Sequence, residues 1–127
     1  MRLAPLLSTL AMAPLVSAAD PKTLWATHYN GNVYTLSLSG HNLSIADTRK
    51  TCGPMPSWLT LDPESRVLYC TDENGSADPS THGSLTAYHA APDGKLKQLA
   101  SAETVGGGVN SVIYEGGKGE KFIAIAH

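Results

Sequence analysis

Residues 56–105 read as one unit of four short runs: P-S-W-L-T-L-D, R-V-L-Y-C-T-D-E, G-S-L-T-A-Y-H and G-K-L-K-Q-L-A-S-A-E-T-V. Within each run apolar and polar side chains alternate, the pattern of a half-buried strand, and turn residues separate the runs. Parts of the unit recur on both sides. Upstream, L-W-A-T-H-Y, N-V-Y-T-L-S-L and L-S-I-A-D-T match its last three runs; downstream, V-N-S-V-I-Y-E and K-F-I-A-I-A-H match its first two. A four-stranded repeat of about 45–50 residues is the sequence signature of a β-propeller blade. The expectation is an all-β chain: about two four-stranded antiparallel blades, the first short of its inner strand, and the first two strands of a third. Rings close with about four to eight blades, so the 127 residues are expected to be a fragment of a larger propeller.

Strands are expected over 24–28, 33–38, 42–47, 57–61, 67–72, 84–89, 95–103, 109–114 and 122–127. Asn30-Gly31 marks a two-residue hairpin turn. Asp62-Pro63 and Pro92-Asp93-Gly94 mark β-turns.

The N-terminus carries a different signal. Arg2 precedes an apolar run, residues 3–16, which ends in small residues at Val16-Ser17-Ala18 and Ser17-Ala18-Ala19. Pro5 and Pro14 interrupt it, and it is too short to span a bilayer. Residues 1–19 therefore read as a secretory signal peptide and 20–127 as the propeller segment. Export makes Asn42-Leu43-Ser44 and Asn74-Gly75-Ser76 candidate glycosylation sites at Asn42 and Asn74. It also exposes the two cysteines, Cys52 and Cys70, to an oxidising compartment. A Cys52–Cys70 bridge and a buried free Cys70 both fit the pattern.

Charge excludes some partners. Nine basic residues against eleven acidic ones give a formal charge of −2, and the lysines and arginines are scattered. No basic footprint for nucleic acid or an anionic membrane surface is present. His41, His82 and His89 lack the close spacing of zinc ligands. The glycine run at 106–108 has no phosphate-loop lysine, and no nucleophile elbow occurs. No metal or cofactor is called for.

The order Pro56-Ser57-Trp58-Leu59, Asp62-Pro63, Leu68-Tyr69-Cys70-Thr71-Asp72-Glu73, Gly83-Ser84-Leu85-Thr86-Ala87-Tyr88 and Pro92-Asp93-Gly94-Lys95-Leu96 resembles the lactonase family of seven-bladed propellers. That family includes bacterial-type 6-phosphogluconolactonases and carboxy-cis,cis-muconate cyclases. The resemblance covers residues 24–127 and implies the first two blades and the start of a third. It also implies hydrolysis or formation of a lactone ring in a cleft at the central axis, with most catalytic side chains in later blades. Many relatives carry a histidine at the mouth of the second inner strand, in G-P-x-H. Ser111 stands at that place here, and Trp58 at the equivalent place one blade earlier.

In a propeller, equivalent strand ends line one funnel. Aligning the repeats sets Thr27-His28-Tyr29 beside Thr71-Asp72-Glu73 and Ala126-His127. Glu73 and His28 are therefore the candidate catalytic residues, and Trp58, Asn110, Ser111 and His127 the candidate substrate-binding ones. Imidazole and carboxylate can activate water for attack on a lactone carbonyl, and amide donors can stabilise the oxyanion. Each also has a structural reading: Glu73 as a bridge between blades, His28 as a packed histidine, Trp58 as inter-blade filling.

Two functions follow. The first is a secreted lactonase-like hydrolase or cycloisomerase, inactive as this fragment, acting on a lactone or sugar-derived small molecule. The second is a non-catalytic propeller binding a carbohydrate or protein partner.

Overall fold

The computed structural model describes residues 21–50, 52–74 and 80–127. The leader segment 1–19 lies outside them, as do Gly75 and Ser76 of the second glycosylation triplet. Three antiparallel sheets follow one another along the chain. The first has three strands in the order β1 (Lys22–His28), β2 (Asn32–Ser39) and β3 (Asn42–Lys50). The second has four: β4 (Pro56–Asp62), β5 (Val67–Asp72), β6 (His82–Ala90) and β7 (Leu96–Val105). The third pairs β8 (Asn110–Glu115) with β9 (Lys121–Ala126). No α-helix occurs among the described residues, and none is long and apolar enough to cross a membrane. The division into three, four and two strands is the one expected from the repeat.

Period-two alternation sends successive β5 side chains to opposite faces. Leu68 pairs across the sheet with Tyr88, and Cys70 with Thr86. Leu68, Cys70 and Tyr88 join Val33 of β2, Cys52, Ala90 and Leu96 in one buried cluster, with Trp25 and Leu59 packed against it. The first and second sheets therefore share an apolar core. Burying each of its larger side chains contributes about 1.5–3 kcal/mol.

The second and third sheets meet through hydroxyls instead. Thr60 Oγ1 donates to the Ser111 carbonyl at 2.8 Å and lies 2.8 Å from Ser111 Oγ. Ser57 Oγ donates to Gly108 O at 2.7 Å. β4, the innermost strand of its sheet, packs against both β1 and β8.

A turn pins the first interface. Gly94, at φ +84°, would place a Cβ 2.6 Å from Thr23 Cγ2, so only glycine fits. Its carbonyl accepts hydrogen bonds from Trp25 Nε1 at 3.0 Å and Thr35 Oγ1 at 3.1 Å.

The first hairpin departs from expectation. Its loop holds three residues, Tyr29, Asn30 and Gly31, because His28 pairs with Asn32. A two-residue turn of type I′ needs positive φ at both central residues. Here Gly31 has φ +80°, Asn30 is not in that region, and Gly31 N–H closes on His28 O at 3.1 Å. The longer loop carries Tyr29 out of β1 at its tip.

Candidate functional site

The repeat alignment makes β1, β5 and β9 equivalent strands, and the residues that follow them are Tyr29, Glu73 and His127. Hydrogen bonds run along this rim from sheet to sheet. Tyr29 Oη donates to Glu73 Oε2 at 2.6 Å. The Glu73 carbonyl accepts from Gly107 N–H at 2.8 Å. His127 Nδ1 lies 3.2 Å from Gly106 O, within donor reach of that carbonyl.

Glu73 is held at both main-chain atoms, since its own N–H donates to Met55 O at 2.9 Å. The Tyr29 phenol is raised above the ordinary tyrosine range, first by its hydrogen bond to the Glu73 carboxylate, then by desolvation and by the negative charge of Glu73. An ionised phenol would lose the bond and face a carboxylate.

The loop over 53–55 is clasped from below. Asp72 is buried, and its Oδ1 accepts from Met55 N–H at 2.8 Å. Cys52 and Cys70 form a disulfide with Cα atoms 5.8 Å apart, inside the usual span for such bridges. Both are buried. Cys52 O also accepts from Ser84 Oγ at 2.7 Å. Three separate ties thus fix the loop whose Met55 carbonyl receives the Glu73 N–H.

The other candidate residues fall in different settings. His28 is exposed, and its Nδ1 accepts the Asn30 N–H at 3.1 Å inside its own turn. The rim position beside Glu73 is taken by Tyr29. Ser111 is buried between sheets, within 3.3 Å of Thr71 Oγ1 as well as Thr60, and does not open on the rim. Trp58 is 43% exposed on β4, and Asn110 is exposed at the start of β8. Asn42 is exposed at the start of β3, whereas the Asn74 amide donates to His82 O at 2.7 Å.

Beside Tyr29 a groove of about 480 Å³ is lined by Asn30, Gly31, Lys50, Gly53 and Pro54. Sequence reasoning missed three residues here: Tyr29, Lys50 and Asp72. Only Tyr29 left a signal, because the repeat alignment already set it opposite Glu73.

Successive antiparallel sheets packed against one another along the chain, with polar chemistry gathered at one set of strand ends, define a β-propeller. More narrowly, the chain belongs to the lactonase family. The family model described as "Lactonase, 7-bladed beta-propeller" matches residues 23–127. The chain is 30% identical over 112 residues to a protein of Arthroderma benhamiae named "Probable 6-phosphogluconolactonase". The alignment covers 87% of this chain and 27% of that protein, so the chain spans about a quarter of its relative's length. No solved structure gives a significant match.

Proposed function

We propose that this chain forms the opening blades of a secreted lactone-processing propeller, with Glu73 as the general base at its rim. The single observation behind the reading is the Tyr29–Glu73 pair, set at equivalent strand ends of neighbouring sheets and anchored by the clasped loop. In this reading Glu73 takes a proton from water as the oxygen attacks the lactone carbonyl. The ring C–O bond then breaks, and the leaving alkoxide recovers the proton. Tyr29 orients the carboxylate. Lys50, at the edge of the groove, offers a cation to an acidic substituent of the substrate. Family membership supports the substrate class, and a cyclase would run the same ring chemistry toward closure. Phosphorylated sugar lactones are cytosolic, so export favours an unphosphorylated sugar or aromatic-derived lactone.

The chain spans about a quarter of its relative's length, so the 127-residue chain alone is expected to be inactive. The test is a pH-indicator assay of sugar and aromatic lactones, using the complete reading frame that contains this chain. Glu73→Gln is expected to cost about 10²-fold or more, the scale of one positioned proton-transfer group. Activity unchanged in Glu73→Gln sinks the assignment. N-terminal sequencing of protein recovered from the medium tests export, with a first residue at 19 or 20 expected.

A second reading is a non-catalytic propeller that binds carbohydrate. It is favoured by Trp58, whose exposed indole on the innermost strand suits stacking on a sugar ring. Carbohydrate binding without turnover, abolished by Trp58→Ala, would select it.

A further inference from the structure

A second pocket lies at the other end of the strands. Arg66 precedes β5 and Glu73 follows it, which sets the two about 20 Å apart at the usual rise per strand residue. Trp25, Leu61, Pro63, Arg66 and Ala90 line this pocket between the first and second sheets. Its volume is about 140 Å³, close to the roughly 150 Å³ apolar cavity known to take one benzene molecule.

The polar groups around it are already sorted. The Trp25 indole N–H is committed to Gly94 O at 3.0 Å, so the ring offers this pocket only an aromatic wall. Arg66 is tied to Ala90 twice: its Nε donates to Ala90 O at 2.9 Å, and its own carbonyl accepts Ala90 N–H at 2.8 Å. Its backbone sits in the left-handed region at φ +55°, a conformation a branched or long side chain adopts only under constraint. That arrangement fixes the stem of the arginine and leaves its terminal guanidinium nitrogens for another acceptor. The carboxylates of the adjoining turn do not fill that role. Asp62 and Glu64 are paired with Lys121 at 3.0 and 2.7 Å. Among the described residues no ion pair includes Arg66. An unpaired guanidinium beside apolar walls sized for one ring fits a particular ligand chemistry.

We propose that this inter-sheet pocket binds a small monocyclic carboxylate, its ring against Trp25, Leu61 and Pro63 and its carboxylate on Arg66. The site is separate from the Glu73 rim, and its occupancy does not depend on the activity proposed there.

Trp25 supplies the readout. The chain has two tryptophans, so in a Trp58→Phe variant of these 127 residues Trp25 is the one indole reporter within them. Benzoate is titrated against that protein, with benzamide as the uncharged isostere. The expected result is a saturable change in Trp25 emission with benzoate, at least about tenfold weaker with benzamide, since a charged acceptor roughly doubles such hydrogen bonds. Arg66→Gly, which takes φ +55° without strain, is expected to weaken benzoate at least about tenfold while the far-ultraviolet spectrum is kept. Arg66→Asn serves as a second variant, because asparagine tolerates the same backbone region. The proposal is overturned by no saturable change into the millimolar range, by equal affinity for benzamide, or by benzoate affinity unchanged in both folded Arg66 variants.

Discussion

The Tyr29 hydroxyl donates to Glu73 across the boundary between the first two sheets, Oη to Oε2 at 2.6 Å, although the two residues are 44 positions apart. The bond exists with the phenol protonated. A folded-state pKa raised above the ordinary value of 10.0 makes its contribution complete below that pH. The contribution is lost as pH rises through the elevated value. Titration of tyrosine absorbance from pH 8 to about 12 is expected to show Tyr29 ionising late, and Glu73→Gln to move it earlier. A Tyr29 titration identical in both proteins would remove the pair from the rim.

Lys121 of the third sheet grips Asp62 and Glu64 of the second. Its pKa is raised, first by the Glu64 hydrogen bond and then by that of Asp62. Asp62 is held below the ordinary carboxylate value, first by Ser65 Oγ and next by Lys121. A depressed carboxylate contributes stability above its unfolded value of 3.8, and that contribution is lost as pH falls through the folded one. Thermal melts between pH 7 and 3 are expected to show a steeper acid decline in the parent than in Lys121→Met. Parallel curves would mean that the pairs carry no stability.

At Gly53, an added Cβ would lie 2.2 Å from Asp72 Oδ2, at a backbone φ of +123°. Gly53→Ala must therefore both strain the chain and push aside the carboxylate that holds Met55. A loss of about 1–3 kcal/mol in urea unfolding is expected. Loosening of the Met55 amide should follow, readable as faster hydrogen exchange.

The Cys52–Cys70 bridge closes 18 residues of sequence. A loop of that size stabilises by about 3 kcal/mol in the chain-entropy account. Cys52→Ala with Cys70→Ala is expected to lower the urea midpoint accordingly. The same double variant should also move Tyr29 ionisation earlier, since the clasp beneath Glu73 is gone. Lost stability with unchanged Tyr29 titration would separate the bridge from the rim.

Strand positions were legible because alternation survives burial: in 67–72 the apolar Leu68 and Cys70 turn to the shared core, as period two requires. The bounds of β5 match the sequence reading, and most others extend it by one to three residues where polar ends such as Thr48-Arg49-Lys50 still pair. The rim was legible only in part. Repeat alignment placed Glu73 and Tyr29 together, but imidazole chemistry drew attention to His28, which spends its Nδ1 on its own turn. Asp72 looked like one more strand residue; its role depends on Met55 arriving from another strand's approach loop. Arg66 gave no signal, because a left-handed backbone at a non-glycine residue follows from tertiary constraint and not from local preference.

The grip of the second sheet on the first at Gly94 runs through a main-chain carbonyl that receives both Trp25 and Thr35. A carbonyl is the same whatever residues surround it. The neighbouring turn positions, Pro92 and Asp93, can therefore drift in identity without loosening the joint, provided position 94 keeps no side chain. Modules built this way can diverge on their outer surfaces and acquire new specificities while the angle between them is inherited unchanged.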